Sequence, residues 1–280
     1  MEGSVGYAFS LTLFAGLSTG LGAIFVLMSK RFGLRLLAFG LGFSSGVMVY
    51  ISLVELLPHG TEVMSEDLGD AMGKWVALAC FFGGIAVSAI IDRLVPEPVN
   101  PHEVTSEADI QSICCEASDS APLVRSATER AALQRVGLVS ALAVALHNLP
   151  EGMATFATAL AEPSLGLSVA IAVAIHNIPE GIAVAVPVYF ATGSRFKAVA
   201  WSFASGLAEP LGALLVFLIL MPWLSGTLVG GMLAAVAGVM VFISFDELLP
   251  TARAYDQGHA EIAGVVLGMA VMGISLLLLG

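Results

Sequence analysis

Long apolar runs, each sufficient to cross a bilayer, alternate along this chain with short clusters of charge. A span needs roughly 17–25 mainly apolar residues. Val5–Met28 carries no charge and stops before Lys30-Arg31. With Glu2 and no basic region ahead of it, it reads as a true first span and not a cleaved leader. Leu36–Val54 is the second, running into Glu55-Leu56-Leu57-Pro58-His59, and Trp75–Ile91 is the third, closed by Asp92-Arg93. Residues 95–134 break the pattern. Seven acids there stand against Arg125 and Arg130 among many Pro and Ser, so the stretch reads as a solvated linker. Val136–Ala161 and Leu165–Thr192 are the fourth and fifth spans. From Ala198 to Phe245 the one ionisable residue before Asp246 is Glu209, in a run too long for a single helix. Met221-Pro222-Trp223-Leu224-Ser225-Gly226 supplies the turn between spans six and seven, and Ile262–Gly280 is the eighth. The expected fold is all-α and integral to the membrane: eight transmembrane helices in one domain over residues 1–280, with 95–134 as a loop.

Two internal repeats organise these spans. Residues 142–154 (LAVALHNLPEGMA) match 171–183 (IAVAIHNIPEGIA) at nine of thirteen positions. Residues 46–59 (GVMVYISLVELLPH) match 238–251 (GVMVFISFDELLPT) at ten of fourteen. The first pair falls in spans four and five and the second in spans two and seven, which cross in opposite directions. This is an inverted-repeat plan, spans one to three against six to eight and four against five, the plan of carriers with a midplane site.

Composition agrees. The chain is 58% hydrophobic and 12% charged, against about 25% charged in soluble domains. A net charge of −11 argues against nucleic acid or anionic lipid as partner, since both attract basic surfaces, and suits a cation. Placing the N-terminus outside puts ten of the 11 Lys and Arg on the inner side (Lys30, Arg31, Arg35, Arg93, Arg125, Arg130, Arg135, Arg195, Lys197, Arg253) and leaves Lys74 outside. Both termini then face out and the 95–134 loop is cytoplasmic. Trp75, Trp201 and Trp223 fall at expected span ends. Cys80, Cys114 and Cys115 form no disulfide framework, and the vicinal pair in a linker is not a metal site by itself.

Intramembrane ionisable groups are costly and default to function. Here they are His147, Glu151, His176, Glu180 and Glu209. On a helix, His147 and Glu151 share a face, as do His176 and Glu180, with Asn148 and Asn177 bordering it. Pro150 and Pro179 remove backbone donors and release the carbonyls of Leu146 and Ile175, so each helix is expected to kink or loosen there. Glu209, in Ser205-Gly206-Leu207-Ala208-Glu209-Pro210, is a third carboxylate beside another helix-breaking proline. Facing copies would make a cage of imidazole nitrogen with amide and carboxylate oxygen. Nitrogen and oxygen without thiolate suit zinc and iron(II), with manganese and cobalt also possible, and disfavour copper(I). Met48 is either a soft contact near this site or ordinary packing. Glu55 and His59 near the outer end, followed by Glu62, Glu66, Asp67 and Asp70, form either a mouth that gathers cations or a wetted loop. Asp246 and Glu247 hold the matching inner position and could take an ion on exit. His259 reads as loop.

These motifs, His147-Asn148-x-Pro150-Glu151-Gly152, His176-Asn177-Ile178-Pro179-Glu180-Gly181, Gly206-Leu207-Ala208-Glu209-Pro210 and the paired Glu-Leu-Leu-Pro segments, resemble those of the ZIP family of zinc- and iron-regulated transporters, in its bacterial zinc-uptake branch. The likeness covers all eight spans. It implies zinc uptake across the cytoplasmic membrane, metal ions as cargo and not as cofactor, and a binuclear site. The first metal position would use Glu151, His176 and Glu180 with His147 alongside; the second would use Asn148, Glu151, Asn177, Glu180 and Glu209. The resemblance also implies a homodimer in lipid, with spans one, four, five and six sliding against two, three, seven and eight. The histidine-rich cytoplasmic loop of many relatives is reduced here to His102. Some relatives carry an acid where Asn177 stands.

Other readings are weaker. An intramembrane metalloprotease carries HExxH, whereas each repeat here has one His, then Asn, with Glu in the fourth place. A channel would be slowed by duplicated tight ligands. An exporter or release carrier could share the same site. No phosphate-binding glycine loop is present, so transport is expected to run on an ion gradient.

Overall fold

The computed structural model describes residues 3–28, 34–94, 144–146, 148–192, 194–255 and 258–279, and every regular element among them is helical. Helix α1 is Val5–Met28. Helix α2 begins as Leu34–Ile51, passes through a π-helical turn at Ser52–Leu56 and continues as Leu57–Leu68. Gly69, with φ of 85°, turns the chain into α3, Asp70–Leu94. Helix α4 covers residues 148–161, with 144–146 helical ahead of it; α5 is Pro163–Thr192. Helix α6 starts as Arg195–Gly206, breaks at Leu207, resumes as Ala208–Leu215, passes through a π-helical turn at Val216–Leu220 and ends in a 3-10 turn at Met221–Trp223. Helix α7 is Gly226–Ile243, a π turn at Ser244–Leu248, then Leu249–Tyr255; α8 is Ala260–Leu279. Seven of these helices are long and apolar enough to span a membrane among the described residues. The eighth is α4; its expected start at Val136, the 95–134 linker and His147 lie outside the described residues.

Two helices run past their expected ends. Span two was expected to close at Val54 and span seven near Phe245, yet α2 continues to Leu68 and α7 to Tyr255. Pro58 and Pro250 each lack an N–H and crowd the carbonyl four residues back. The chain absorbs each proline by widening one turn: the N–H of Leu57 reaches the Ser52 carbonyl, and that of Leu249 the Ser244 carbonyl. These π turns occupy the same positions of the 46–59 and 238–251 repeat. Pro179 does not interrupt α5, which stays α-helical throughout. The break that accompanies Pro210 falls at Leu207, just after Gly206, the residue whose carbonyl the proline leaves without its helical donor.

Glycine contacts sort the helices into two bundles. In the first, a Cβ on Gly16 would lie 2.3 Å from the Gly206 carbonyl oxygen, one on Gly22 1.9 Å from that of Ile178, and one on Gly212 2.2 Å from that of Leu149. These contacts pair α1 with α6, α1 with α5, and α6 with α4. In the second, Gly46 meets Val265 at 2.2 Å, Gly238 meets Phe81 at 2.0 Å and Gly60 meets Gly230 at 2.7 Å, tying α2 to α8, α7 to α3 and α2 to α7. Among the described residues, each glycine that admits a neighbouring helix's backbone does so within α1/α4/α5/α6 or within α2/α3/α7/α8. Between helices surrounded by lipid, such close approach supplies the packing that hydrophobic burial cannot.

Side chains meet between the bundles. The largest apolar cluster joins Met48 and Ile51 of α2 and Leu233 and Met240 of α7 to Ala154 of α4 and Val169 and Val173 of α5. Polar ties also cross: Ser44 Oγ donates to the His176 carbonyl at 3.3 Å, and His59 Nε2 lies 3.9 Å from Glu162 Oε2.

Candidate metal centre

Helices α4, α5 and α6 place their functional side chains at one level because the glycines beside them let the backbones touch. Gly152, next to Glu151, faces the Glu209 backbone, and Gly181, next to Glu180, faces Thr19 of α1. Asn148, Glu151, His176, Asn177, Glu180 and Glu209 are all buried, at 0–2% exposure.

The donors stand as three pairs. His176 Nε2 and Glu151 Oε2 are 3.0 Å apart. The Asn177 amide nitrogen donates both to Glu209 Oε1 and, at 2.9 Å, to the Ala15 carbonyl. The Asn148 amide faces acceptors with its nitrogen, donating to the Val144 carbonyl at 3.1 Å and to Glu180 Oε2 at 3.3 Å. Each amide thus spends its nitrogen on protein acceptors. Glu209 is within electrostatic reach of both Glu151 and Glu180, so the three carboxylates form one group. The cage expected from the repeats is looser than that reading: among the described residues, no three His, Cys, Asp or Glu side chains converge tightly enough to hold an ion as they stand. Direct hydrogen bonds within each pair occupy the positions a shared ion would compete for.

Four oxygens in this group have no hydrogen-bond partner among the described residues: Glu151 Oε1, Asn177 Oδ1, Glu180 Oε1 and Glu209 Oε2. An unsatisfied buried polar atom costs about 1–3 kcal/mol, more when charged. Hydrogen-bond acceptors gathered in this way, with an imidazole beside them, suit a borderline divalent cation.

The remaining expected residues make none of these hydrogen bonds. Met48 is fully buried in the apolar cluster between the bundles, the position of a packing residue. Glu55, within α2's π turn, and His59, just beyond it, are half-buried, and both act electrostatically with Glu162. Glu162 was not singled out from the sequence, although it falls eleven residues after Glu151 and hence on the same helical face. Glu247 is buried at 8% exposure and lies within reach of Asp92, Asp246 and Glu180; Asp246 is exposed. The Ala15 carbonyl, which orients Asn177, has no sequence signature.

A polytopic helical membrane protein with a buried carboxylate–imidazole–amide group has the features of a cation carrier. Residues 3–276 match the family model described as ZIP Zinc transporter. Relatives named Zinc transporter ZupT include one from Lysinibacillus sphaericus, 50% identical over the full length of both chains. Another, from Chlorobium phaeovibrioides, is 53% identical over 97% of each chain, and one from Corynebacterium glutamicum is 51% identical over 97% of this chain and 98% of the relative. The chain belongs to the ZIP zinc transporter family. It is a multi-pass membrane carrier and not an enzyme, which removes the metalloprotease reading, and zinc is its cargo.

Proposed function

We propose that this protein takes up zinc across the cytoplasmic membrane through a site formed by Asn148, Glu151, His176, Asn177, Glu180 and Glu209, with His147 alongside. The observation that carries this reading is the set of four unpartnered oxygens buried between α4, α5 and α6. Two ions share the site, Glu151 and Glu180 bridging them. One takes His176 as its nitrogen ligand; the other takes Asn148, Asn177 and Glu209. Iron(II), manganese and cobalt are further cargo, because the same mixed donors accept them.

The chain is a single transporter domain with both termini outside and 95–134 as a cytoplasmic loop. The basic residues support this orientation. Ions arrive past Glu55 and His59 and leave past Glu247 and Asp246; the reach of Glu247 to Glu180 supports an inner route. The two halves are inverted repeats, a reading supported by the matched π turns of α2 and α7. Bundle α1/α4/α5/α6 slides against α2/α3/α7/α8. The confinement of backbone-to-backbone glycine contacts within each bundle supports that motion. The carrier works as a homodimer in lipid, and the apolar outer face of α3, with Trp75, Leu78, Phe82 and Ile90 exposed, suits either environment.

Uptake of radioactive zinc into proteoliposomes, with competition by iron, manganese, cobalt and cadmium, tests this reading. Saturable zinc uptake lowered by the competitors is expected. Uptake no faster than in empty vesicles would overturn it.

A further inference from the structure

Glu151 is the first rung of a polar ladder on α4. Thr155 and Thr158 follow it at i+4 and i+7, one above the other on the same face. Glu162 continues the register, since its N–H donates to the Thr158 carbonyl at 2.7 Å. At its far end this face meets α2, where Glu162 lies 3.9 Å from His59, and Ala154, next to Thr155, packs in the cluster that contains Met48 and Ile51. The ladder therefore runs from the ion site to the end of the molecule where Glu55, His59 and Glu162 gather.

The two threonines are set apart by their hydrogen bonding. Buried or half-buried helical hydroxyls here usually donate back to the carbonyl one turn earlier, as Thr12 does to Ala8 at 2.8 Å, Thr61 to Leu57 at 2.7 Å, Thr192 to Val188 at 2.8 Å and Ser244 to Met240 at 2.7 Å. That bond is the ordinary way to bury a hydroxyl in a helix. Thr155 and Thr158 are 0% and 1% exposed, yet their Oγ1 atoms have no partner among the described residues. Ser52, on the α2 face that carries Glu55, is likewise buried without one. Thr19 and Ser65 share the condition but stand elsewhere, against Gly206 and Gly73. A buried hydroxyl without a partner is costly to keep where a valine would fill the same volume.

We propose that the Thr155 and Thr158 hydroxyls line the route by which a hydrated divalent cation travels between the Glu55–His59–Glu162 mouth and the site at Glu151. The route is closed here by the apolar cluster of Met48, Ile51, Val169 and Val173, and it opens when the bundles part. The hydroxyls replace water around the ion on its passage and take no share in holding it at the site. They are positioning residues for transit. The proposal rests on the site reading given above.

The test is zinc uptake together with equilibrium zinc binding to the purified carrier, for Thr155→Val, Thr158→Val and the corresponding serine substitutions. The valine variants should bind zinc as the unaltered chain does while turning over about fivefold more slowly or worse, the rate equivalent of one lost net hydrogen bond. Serine should restore the rate. Valine variants at full rate would overturn the proposal, as would serine variants as slow as valine, which would make the role one of packing. Loss of zinc binding in the valine variants would overturn it too, by assigning the threonines to the site itself. Failure of the site reading would look different: Glu151→Gln would then leave zinc binding intact.

Discussion

Gly152 presses against the backbone of Glu209, so closely that a Cβ built on it would lie 2.1 Å from the Glu209 carbonyl oxygen and 2.5 Å from its Cα. Gly181, the equivalent residue of the second repeat, stands in the same relation to Thr19, 1.7 Å from its carbonyl oxygen. The glycine ending each His-Asn-x-Pro-Glu-Gly motif is thus where its helix touches a neighbour, α6 in one case and α1 in the other. The glutamate one residue earlier is thereby fixed against the rest of the site.

Alanine at either glycine should then damage the site without removing a ligand. Overpacking of this kind costs about 1–3 kcal/mol. Gly152→Ala and Gly181→Ala should lower the thermal unfolding temperature of the purified carrier and reduce zinc uptake together. Unchanged stability with normal uptake would show that these contacts relax freely.

Glu151→Ala and Glu180→Ala should abolish uptake while the protein still reaches the membrane, because each removes a carboxylate that the proposed site shares between its two ions. Glu209→Gln should be milder, with zinc affinity lowered by about tenfold or more and uptake retained at high zinc. Uptake assays beside membrane immunoblots separate loss of function from loss of protein.

Zinc uptake should weaken as the pH falls. Carboxylate and imidazole ligands must be deprotonated to bind a metal, so protons compete with zinc at the site. Fewer bound protons at higher pH favour the ion, and the apparent affinity should fall steadily between about pH 7.5 and 5.5, a range that brackets buried carboxylates and imidazole. A flat profile over that range would contradict carboxylate ligation.

Asp67 offers a contrast away from the site. Its carboxylate, from the end of α2, accepts from the Thr227 N–H at 2.6 Å and from its hydroxyl at 2.9 Å, capping the start of α7. Asp67→Ala should cost about 0.5–2 kcal/mol of stability and leave zinc affinity unaltered. Thermal unfolding and zinc binding on one sample would show both.

Much of this was legible in the residues. Val5–Met28 coincides with α1, and the turn at Met221–Gly226 separates α6 from α7 as its proline and glycine required. The duplicated motif brought Asn148, Glu151, His176, Asn177 and Glu180 together with Glu209, since intramembrane carboxylates have few other reasons to exist. The ends of α2 and α7 were misjudged because the apolar runs stop at Glu55 and Asp246, whereas each helix continues past them and its proline through a π turn. Pro179 was expected to loosen α5, yet the helix runs on unbroken. The pairing within the site also escaped: whether Asn177 turns to Glu209 or to an ion depends on the Ala15 carbonyl, contributed by a helix with no polar signal at that point. Glu162, Thr155 and Thr158 were missed because threonine is unremarked in a membrane helix unless its face is traced from Glu151.

The central claim is that zinc in transit is held between α4, α5 and α6 by Glu151, Glu180 and His176. Anomalous diffraction at the zinc edge, from crystals of the carrier grown with zinc, tests it most directly. The account predicts a peak about 2.0–2.2 Å from carboxylate oxygens of Glu151 or Glu180 and from the imidazole of His176. Peaks confined to surface acids, with that group of side chains still hydrogen-bonded in pairs at saturating zinc, would contradict it.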